Sequence, residues 1–317
     1  MKAAFPMNTS KPRIAVLGSI NMDLVIGCAT LPLPGQTILA HSAVEICGGK
    51  GANQAVAAAR AGGSVTMIGR VGVDAFADRL LDNLCLNEID FQHVLPTPQS
   101  PSGLAVVSVE ASGQNSIVVV PGANGHVSVD DVEAARVAIE SSDILLLQLE
   151  VPIATVVAAI KIAAAAGVRV MLDPAPAPKM NMIPPDLLHV DLICPNESEA
   201  AEIVGREVNA LAEIESAARE LHDRGAKNVA ITLGERGTLL FDGQQMHLVE
   251  SFSIDAVDTT AAGDAFAGAL AVSWTLGSSL LEAVQFANAA GALAASRAGA
   301  QPSMATLDEI KRLIAGN

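Results

Sequence analysis

Residues 143–174, DILLLQLEVPIATVVAAIKIAAAAGVRVMLDP, hold two short apolar runs separated by an alanine-rich stretch. The runs DILLLQLE (143–150) and VRVMLDP (168–174) have the length and the Leu/Val/Ile content of buried strands, and each is followed by polar residues or proline. The stretch 153–166 between them predicts a helix. A strand, a helix and a second strand in this order are typical of a parallel β–α–β unit.

The same alternation extends along most of the chain. Further strands are predicted at 13–19, 65–72, 191–196 and 228–237. Further helices are predicted at 52–61, 74–86, 130–140, 198–204 and 212–224. The predicted fold class is therefore α/β, a doubly wound and mostly parallel sheet covered on both faces. Ligands of such sheets bind beyond the carboxyl ends of the strands, so the polar residues there are the candidates for function.

Two regions break this rhythm. Residues 22–46 and 101–120 alternate apolar and polar residues without a following helix; they include TILAHSAVEI (37–46) and a hairpin turn at Ser112, Gly113 and Gln114. They predict a small separate sheet, and a sheet inserted there would form a lid over the cleft. The alternative is two ordinary edge hairpins. We expect one main domain over 13–310 with a lid formed by these two segments.

Composition narrows the class of protein. The chain has 317 residues, of which 50% are hydrophobic but only 3% aromatic, so the core must consist of Ala, Val, Ile and Leu. A net charge of −15 argues against a nucleic-acid partner and against binding to anionic membranes.

The cysteines and the amino-terminal segment bear on the compartment. Four scattered cysteines without a CxxC pair indicate reduced core thiols. The first ten residues, MKAAFPMNTS, have no apolar leader region, and Lys161 interrupts the most apolar stretch. We expect a soluble, cytoplasmic protein.

The segment DTTAAGDAFAGAL (258–270) places Asp264 where a run of small residues becomes a buried helix. Burying a carboxylate is costly unless it is paired or hydrogen-bonded. One interpretation is a helix cap. The other is that the free N–H groups of the helix start bind a phosphate while Asp264 acts beside it.

Two glycine- and amide-containing segments offer groups for sugar hydroxyls. CGGKGANQAVAAARAGG (47–63) surrounds Lys50 with glycines and places Asn53 in the first turn of a helix, although it lacks the P-loop pattern. GSINMD (18–23) places Asn21 and Asp23 two residues apart, where they could bracket adjacent hydroxyls. The alternatives are an ordinary glycine turn and an Asx turn.

Two further strand ends carry polar residues. Glu150 follows a buried strand and is expected to point into the cleft. In CPNESEA (194–200), Asn196 and Glu199 have a spacing that could serve a hydrated magnesium ion or a helix cap. No GxGxxG follows the first strand, which argues against a nicotinamide dehydrogenase.

Eight motifs in order resemble the ribokinase family of carbohydrate kinases. They are GSINMD, GGKGANQAVAAARAG, LQLEVP, DPAPAP, PNESEA, TLGERG, DTTAAGDAFAGAL and SRAGAQPS, and the resemblance runs from about Arg13 to Ser303. The resemblance implies an enzyme that phosphorylates a sugar with ATP, with Mg²⁺ and K⁺ as further cofactors. It also implies that Asp264 is the general base for the sugar's primary hydroxyl, and that the backbone N–H groups of Ala261, Ala262 and Gly263 form an anion hole.

The resemblance implies the remaining roles position by position. The sugar would be held by Asn21, Asp23, Gly49, Lys50, Asn53 and Glu150, together with Asp264. ATP would be bound by Asn196, Thr232, Gly234, Glu235, Gly237, Gly263 and Asn288. Potassium would be bound by Asp258, Thr260, Ala294, Arg297, Gly299 and Ser303, and Glu199 would be linked to magnesium.

Asn21 bears on the choice of sugar. In the family this position faces the 2-hydroxyl, whereas the related deoxyribokinases carry an apolar residue there, so the resemblance favours D-ribose as substrate and D-ribose 5-phosphate and ADP as products. The alternatives are 2-deoxyribose, another small sugar or a nucleoside, and a non-catalytic sugar sensor. Aromatic residues that could stack on a base are absent from the predicted lid strands, which disfavours adenosine. A small sheet exposes edges, so we expect a homodimer through the lid.

Overall fold

The computed structural model describes residues 11–110 and 114–316. In chain order the strands are β1 (Arg13–Leu17), β2 (Asn21–Cys28), β3 (Ser42–Gly48), β4 (Ser64–Val71), β5 (Asp90–Pro96), β6 (Gly103–Glu110), β7 (Asn115–Val120), β8 (Ile144–Leu147), β9 (Arg169–Leu172), β10 (Leu192–Ile193), β11 (Val229–Thr232), β12 (Thr238–Phe241) and β13 (Met246–Val249). The helices are α1 (Lys50–Arg60), α2 (Ala75–Leu86), α3 (Val129–Ala134), α4 (Arg136–Glu140), α5 (Ile153–Ala166), α6 (Glu197–Val204), α7 (Leu211–Asp223), α8 (Ala262–Thr275), α9 (Leu280–Ala295) and α10 (Leu307–Gly316).

The larger sheet has nine strands in the order β13-β12-β11-β10-β9-β8-β1-β4-β5. The strands from β5 to β11 pair in parallel, whereas β12 and β13 are antiparallel additions at one edge. Leu17, at the end of β1, pairs with Ile68 and Leu147, so the carboxyl ends of three neighbouring strands meet. The predicted α/β class with a mostly parallel sheet is confirmed.

The core lies on both faces of this sheet. Ile14 and Val16 of β1 pack into one cluster, which includes α1, α8 and α9. Ala15 and Leu17 pack into the other, which includes α5 and α7. Successive residues of a strand face opposite sides, so a strand covered on both faces must be apolar throughout. This is why the predicted strands are continuous apolar runs.

The second sheet has four strands in the order β3-β2-β6-β7, with β2 and β6 parallel. The prediction of a separate small sheet is thus confirmed, rather than that of edge hairpins. Its boundaries differ from the prediction, because residues 37–41 are not in a strand and β3 begins at Ser42. Of the predicted hairpin turn, Ser112 and Gly113 lie outside the described residues.

Some elements differ from their predicted extent or escaped prediction. The strand expected at 191–196 is only two residues long, because Pro195 cannot donate to a neighbouring strand and Asn196 already caps α6. The strand expected at 228–237 ends at Thr232 in a tight turn. The helix expected at 130–140 is divided at Ala135. The strands β5, β12 and β13 and the helices α9 and α10 were not predicted.

The helices α1 and α8 pack unusually close together. A Cβ atom added to Gly268 of α8 would lie 2.6 Å from the Cβ atom of Ala57 and 2.6 Å from the carbonyl oxygen of Gln54, both on α1. The absence of a side chain at Gly268 lets the two backbones approach. The first turns of both helices therefore lie together at the carboxyl edge of the sheet.

The helix α8 ends near Trp274, the single tryptophan of a chain that has no tyrosine. The guanidinium carbon of Arg169 lies 5.0 Å from the centre of the Trp274 ring, and the Nη1 atom of Arg169 donates to the Trp274 carbonyl oxygen at 2.8 Å. These contacts attach the end of α8 to the start of β9.

All four cysteines are free. Cys28 and Cys194 are buried, as expected of core thiols, but Cys47 is half-buried and Cys85 is exposed, so the prediction is wrong for these two. Over residues 11–110 and 114–316, no helix combines the length and the apolar character needed to cross a membrane.

Candidate active site

A cavity of about 180 Å³ lies at the carboxyl edge of the larger sheet. Asp173 follows β9, Thr232 ends β11, and Asp264 belongs to the first turn of α8. The cavity is lined by these three residues and by Lys50, Asn196 and Glu199, among others. The strand ends and helix starts thus bring charged and polar groups from five distant parts of the chain to one place.

The turn before α1 needs glycines because its backbone lies very close to the start of β2. Gly49 has φ = 88°, and a Cβ atom there would lie 2.7 Å from the backbone nitrogen of Asn21. A Cβ atom on Gly48 would lie 2.0 Å from an oxygen of the Asp23 carboxylate. The start of β2 therefore lies directly against the start of α1. The structure places Asn21 and Asp23 in a strand of the small sheet, so the Asx-turn interpretation is wrong.

Glu150 contacts the start of α1. Its Oε2 atom accepts a hydrogen bond from the hydroxyl of Ser19 at 2.5 Å and another from the backbone N–H of Lys50 at 3.2 Å. The Ser19 hydroxyl oxygen accepts in turn from the N–H of Gly51 at 3.3 Å. A carboxylate at a helix N-terminus is stabilised by the free N–H groups and the helix dipole.

Asn21 is 2% exposed, and a second amide fixes its side chain. The Nδ2 atom of Asn124 donates to the Oδ1 atom of Asn21 at 2.7 Å, while the Oδ1 atom of Asn124 accepts from the N–H of Ile20 at 2.9 Å. With its oxygen occupied, Asn21 retains its amide NH₂ group as the donor for a ligand.

Asp264 is 5% exposed and does not cap its own helix. The N-cap residue of α8 is Ala261, and no side chain caps it, so the cap interpretation is wrong. The Asp264 carboxylate instead accepts from Asn53 Nδ2 at 2.9 Å and from Gln54 Nε2 at 3.1 Å. Both donors belong to α1.

The first turn of α8 has room for an anion. A Cβ atom on Gly263 would meet nothing within 4 Å, which shows open space beside the backbone there. The N–H groups of a first helical turn lack intrahelical acceptors. The N–H of Ala262 is partly used, because it donates to the carbonyl oxygen of Thr259 at 3.2 Å.

Burial and neighbouring charges shift the pKa values of several ionisable groups of the site. Burial raises the pKa of Asp264, although Lys50 and the hydrogen bonds from α1 oppose the shift. Burial, assisted by Glu150 and Asp264, raises the pKa of Asp23 to about 7. Burial likewise raises the pKa of Asp173 to about 8. The pKa of Lys50 is raised because Asp264, Asp173 and Glu150 together outweigh the burial of its ammonium group.

Within the described residues, three buried oxygen atoms of the site have no hydrogen-bond partner. They are the Oδ1 atoms of Asp23 and Asn53 and the Oε1 atom of Gln148. Buried polar atoms are nearly always hydrogen-bonded, so the unpaired acceptors of Asp23 and Asn53 indicate where a ligand's donors would lie. Two acceptors on neighbouring elements suit adjacent hydroxyl groups.

On the other side of the cavity, Asn196 and Glu199 form a capping box at the start of α6. The Asn196 side chain accepts from the N–H of Glu199 at 2.8 Å, and the Glu199 carboxylate accepts from the N–H of Asn196 at 2.8 Å. The helix-cap interpretation of this pair is therefore correct. Thr232 forms a bridge to Asn196. The following turn has Gly234 and Gly237 at φ = 60° and 92°.

Two predicted nucleotide residues lie less directly at the cavity. Glu235 is exposed in the turn between β11 and β12. Asn288 is 6% exposed, and its amide joins α9 to neighbouring strands. It accepts from the Thr238 hydroxyl at 2.7 Å and donates to the carbonyl oxygens of Val249 and Glu250. The polar atoms of the Asn288 side chain are thus used in hydrogen bonds within the protein.

The predicted cation residues form two adjoining loops. The Asp258 carboxylate accepts from the Thr260 hydroxyl at 2.6 Å and from the N–H of Gly299 at 3.0 Å. Burial alone would raise its pKa, but these hydrogen bonds hold the pKa of Asp258 below its ordinary value. Ala294 lies near the end of α9 and accepts from the N–H of Arg297.

The side chains of Arg297 and Ser303, the other two residues predicted to bind the cation, contact other parts of the protein. Arg297 pairs with Glu309 at 2.7 Å, and the Ser303 hydroxyl donates to the carbonyl oxygen of Ala300. Among the described residues, no group of three or more His, Cys, Asp or Glu side chains is arranged to hold a metal ion.

Several residues of the site were not predicted from the sequence: Ser19, Gln54, Asn124, Gln148 and Asp173. Asp173 could have been found, since it follows a buried strand just as Glu150 does. Gln54 is a polar residue directly before the apolar stretch AVAAA (55–59) of α1, but its partners come from distant segments. No local pattern reveals such partners.

The comparisons with known proteins agree with this architecture. The model of the pfkB family carbohydrate kinases matches residues 11–307. A ribokinase of Haemophilus influenzae is 39% identical over 93% of this chain and 96% of that protein. A deoxyribokinase of Salmonella typhi is 36% identical over 96% of this chain and 99% of that protein. The structure of Arabidopsis thaliana ribokinase with ribose and ATP covers 96% of this chain and 99% of its own, with a TM-score of 0.86 and 34% identity.

The raised pKa of Asp173 predicts a pH-dependent stability. The folded protein retains a proton on this carboxyl up to about pH 8, whereas the unfolded chain releases it near the ordinary pKa of about 3.9. The folded state therefore binds more protons between these values, and the free energy of unfolding falls as the pH rises through them. We expect Asp173→Asn, which cannot ionise, to stabilise the protein more at about pH 8 than at about pH 5.

Urea unfolding of the parent and the variant at both pH values measures this difference. Asp82→Asn, at an exposed position on α2, is the matched control and should leave the pH dependence unchanged. An equal effect of Asp173→Asn at both pH values would contradict the shifted ionisation.

Proposed function

The chain belongs to the pfkB family of carbohydrate kinases, and we propose that it transfers the γ-phosphoryl group of ATP to the 5-hydroxyl of D-ribose, giving D-ribose 5-phosphate and ADP. The observation that carries this proposal is the environment of Asp264. A buried carboxylate lies in the first turn of α8, beside open space for a phosphate and next to a set of hydroxyl-binding groups.

Asp264 acts as the general base. It accepts the proton of the 5-hydroxyl as that oxygen attacks the γ-phosphorus atom, while the bond to the β-phosphate oxygen breaks and ADP leaves. Its raised pKa makes it a better proton acceptor than an exposed aspartate. The N–H groups of Ala261 and Gly263, with that of Ala262 shared with Thr259, stabilise the negative charge of the phosphoryl group.

The sugar is held by groups from both sheets. The unpaired Oδ1 atoms of Asp23 and Asn53 accept from ribose hydroxyls, and the Asn21 amide donates to one. Lys50, which lines the cavity, and Glu150, which accepts from the Lys50 N–H, complete the sugar-binding set, and Gly49 lets this turn lie directly against Asn21. These buried acceptors lack a partner until the sugar binds. A sugar with hydroxyl groups at the matching positions is therefore bound much more tightly than one that lacks them.

The nucleotide lies along the ends of β10 and β11. Thr232, Gly234 and Gly237 form the turn that contacts ATP, with Glu235 at its exposed side and Gly263 at the phosphate end. Asn196 contributes through the start of α6. Asn288 supports this wall indirectly through Thr238, rather than by touching the nucleotide.

Magnesium fits the donor chemistry at the phosphate end of the cavity. The carboxylates of Asp173, Glu199 and Asp264 line the cavity without forming a cluster of three metal ligands, so Mg²⁺ would bind to few protein oxygens and retain several waters, as this ion prefers. Glu199, linked to the ion through water, would hold it beside the ATP phosphates. The ion would neutralise phosphate charge when bound.

The potassium site also fits the residues present. Asp258 supplies a carboxylate, Thr260 a hydroxyl oxygen, and the chain around Ala294 and Gly299 supplies carbonyl oxygens at the end of α9, where the helix dipole favours a cation. Arg297 would act through its carbonyl group, because its guanidinium pairs with Glu309. Ser303 follows in the same loop. The cation would order the segment that leads into α8.

We further propose that residues 13–310 form one kinase domain and that the small sheet is its lid. The lid carries Asn21 and Asp23, so its position decides whether the sugar pocket is complete. The free thiols are consistent with a cytoplasmic enzyme, which cell fractionation can test.

The first prediction from this mechanism concerns Asp264, the proposed base. Asp264→Asn keeps the shape of the side chain but cannot accept the proton, so we expect kcat to fall by roughly 10²–10⁴-fold while ribose binding is retained. A coupled ADP-release assay over pentoses, hexoses and nucleosides measures the activity, and calorimetry measures binding. Asp82→Asn is the control. Retained turnover in Asp264→Asn would reject the proposed mechanism.

The second prediction concerns the sugar. Asn21→Met removes the donor for the 2-hydroxyl, so the ratio of kcat/KM for ribose to that for 2-deoxyribose should fall, by up to roughly 10⁴-fold if the bond is well formed. The relevant measurement is kcat/KM on both sugars with saturating ATP. An unchanged ratio would show that Asn21 does not bind the 2-hydroxyl and would favour 2-deoxyribose as the substrate.

The third prediction concerns potassium. ADP release with ribose should be faster in potassium chloride than in choline chloride at equal ionic strength. Asp258→Asn should lose most of this activation, because the site loses its charged ligand. Equal rates in the two salts for the parent protein would reject the site.

The fourth prediction concerns assembly. The strand β7 is exposed along its length, with Val118 61% and Ile117 48% exposed, and it lies at an edge of the small sheet. Pairing of two lids would cover this apolar surface. Light scattering at micromolar concentration should give twice the 32.4 kDa of one chain, and a monomeric mass would rule the dimer out.

A further inference from the structure

The side chain of Gln54 lies between two buried carboxylates. Its Nε2 atom donates to Asp173 Oδ2 at 2.7 Å and to Asp264 Oδ1 at 3.1 Å. An amide NH₂ group has two protons, so each carboxylate receives one. Gln54 has no exposed surface, and the cavity is lined by its two partners.

A second glutamine fixes the orientation of this amide. The Nε2 atom of Gln148 donates to Gln54 Oε1 at 2.5 Å. Gln148 is itself packed against Gly18, where a Cβ atom would lie 2.0 Å from Gln148 Oε1. The Gln54 amide is thus held at both its oxygen and its nitrogen, and it cannot turn away without leaving buried polar groups unpaired.

We propose that Gln54 is a positioning residue for phosphoryl transfer: it holds the carboxylate of Asp264 in place by bridging it to Asp173, and Gln148 holds Gln54. This inference rests on the proposed function of Asp264 as the base. Gln54 and Asn53 together occupy one acceptor position on each oxygen of Asp264. A carboxylate has about four such positions, so room for the sugar's hydroxyl remains.

The bridge also lowers the repulsion between the two carboxylates. Asp173 and Asp264 repel each other when both are ionised, and an amide group that donates to both stabilises their negative charge. Asp264 must be ionised to accept a proton. The other charged groups that act on Asp264 are Lys50, Glu150 and Asp23.

The test is Gln54→Met, which keeps the length of the side chain and removes its amide. We expect kcat to fall by roughly 10–100-fold, with KM for ribose and for ATP changed less than about twofold, because the base is misplaced while the binding groups remain. The acid limb of the kcat profile should move to higher pH, since the donor that favours the ionised form of Asp264 is gone. Gln285→Met, at an exposed position of α9, is the matched control.

Gln148→Met and the double variant separate positioning from general damage. If Gln148 acts only through Gln54, the double variant should be no slower than Gln54→Met alone, whereas independent effects would multiply. Should Gln54→Met not fold, Gln148→Met carries the test by the same loss of kcat and the same pH shift. Unchanged kcat in a folded Gln54→Met or Gln148→Met would overturn the inference.

Failure of the proposed function gives a different result. A parent protein that releases no ADP with any sugar would reject the kinase and the positioning role together. An active parent with a fully active Gln54→Met variant would reject the positioning role alone.

Discussion

The close approach of α1 to α8 at Gly268 is the constraint on which the site depends. It places the first turns of two helices side by side, one carrying Asn53 and Gln54 and the other Asp264. Neither helix alone could bury a carboxylate at this position, because the hydrogen bonds that stabilise the charge come from the other helix. The alanine-rich composition of both helices follows from the same requirement, since larger side chains would separate the backbones.

The site combines groups that are fixed by different sheets. The base, the anion-binding turn and the nucleotide wall belong to the nine-stranded sheet and its helices, whereas Asn21 and Asp23 belong to the four-stranded sheet. The two sheets are joined through the residues that follow β1 and through the glycine-rich turn before α1. Lys50 and Glu150 lie at this junction, and the positive charge of Lys50 balances part of the surrounding acidic cluster, to which Glu150 belongs.

Much of this could be predicted from the sequence. The parallel strands could be predicted because a strand buried on both faces is apolar throughout and does not alternate apolar with polar residues. The polar residues that end these apolar runs indicated the edge of the sheet where the site lies. The short extent of β10 and the antiparallel additions β12 and β13 were not predicted, since their pairing is decided by distant partners. In the site, Lys50, Asn196, Thr232 and Asp264 were predicted and line the cavity. Gln54, Asn124 and Gln148 were not predicted, because their hydrogen bonds join segments about 90 to 210 residues apart.

The single tryptophan has a practical consequence for work on this protein. With no tyrosine in the chain, nearly all intrinsic fluorescence comes from Trp274, at the far end of the helix that begins at Ala262. Emission from this indole reports on one helix without any label. Ligands that shift that helix, or release its stacking with Arg169, therefore produce an optical signal that can be followed in a stopped-flow instrument.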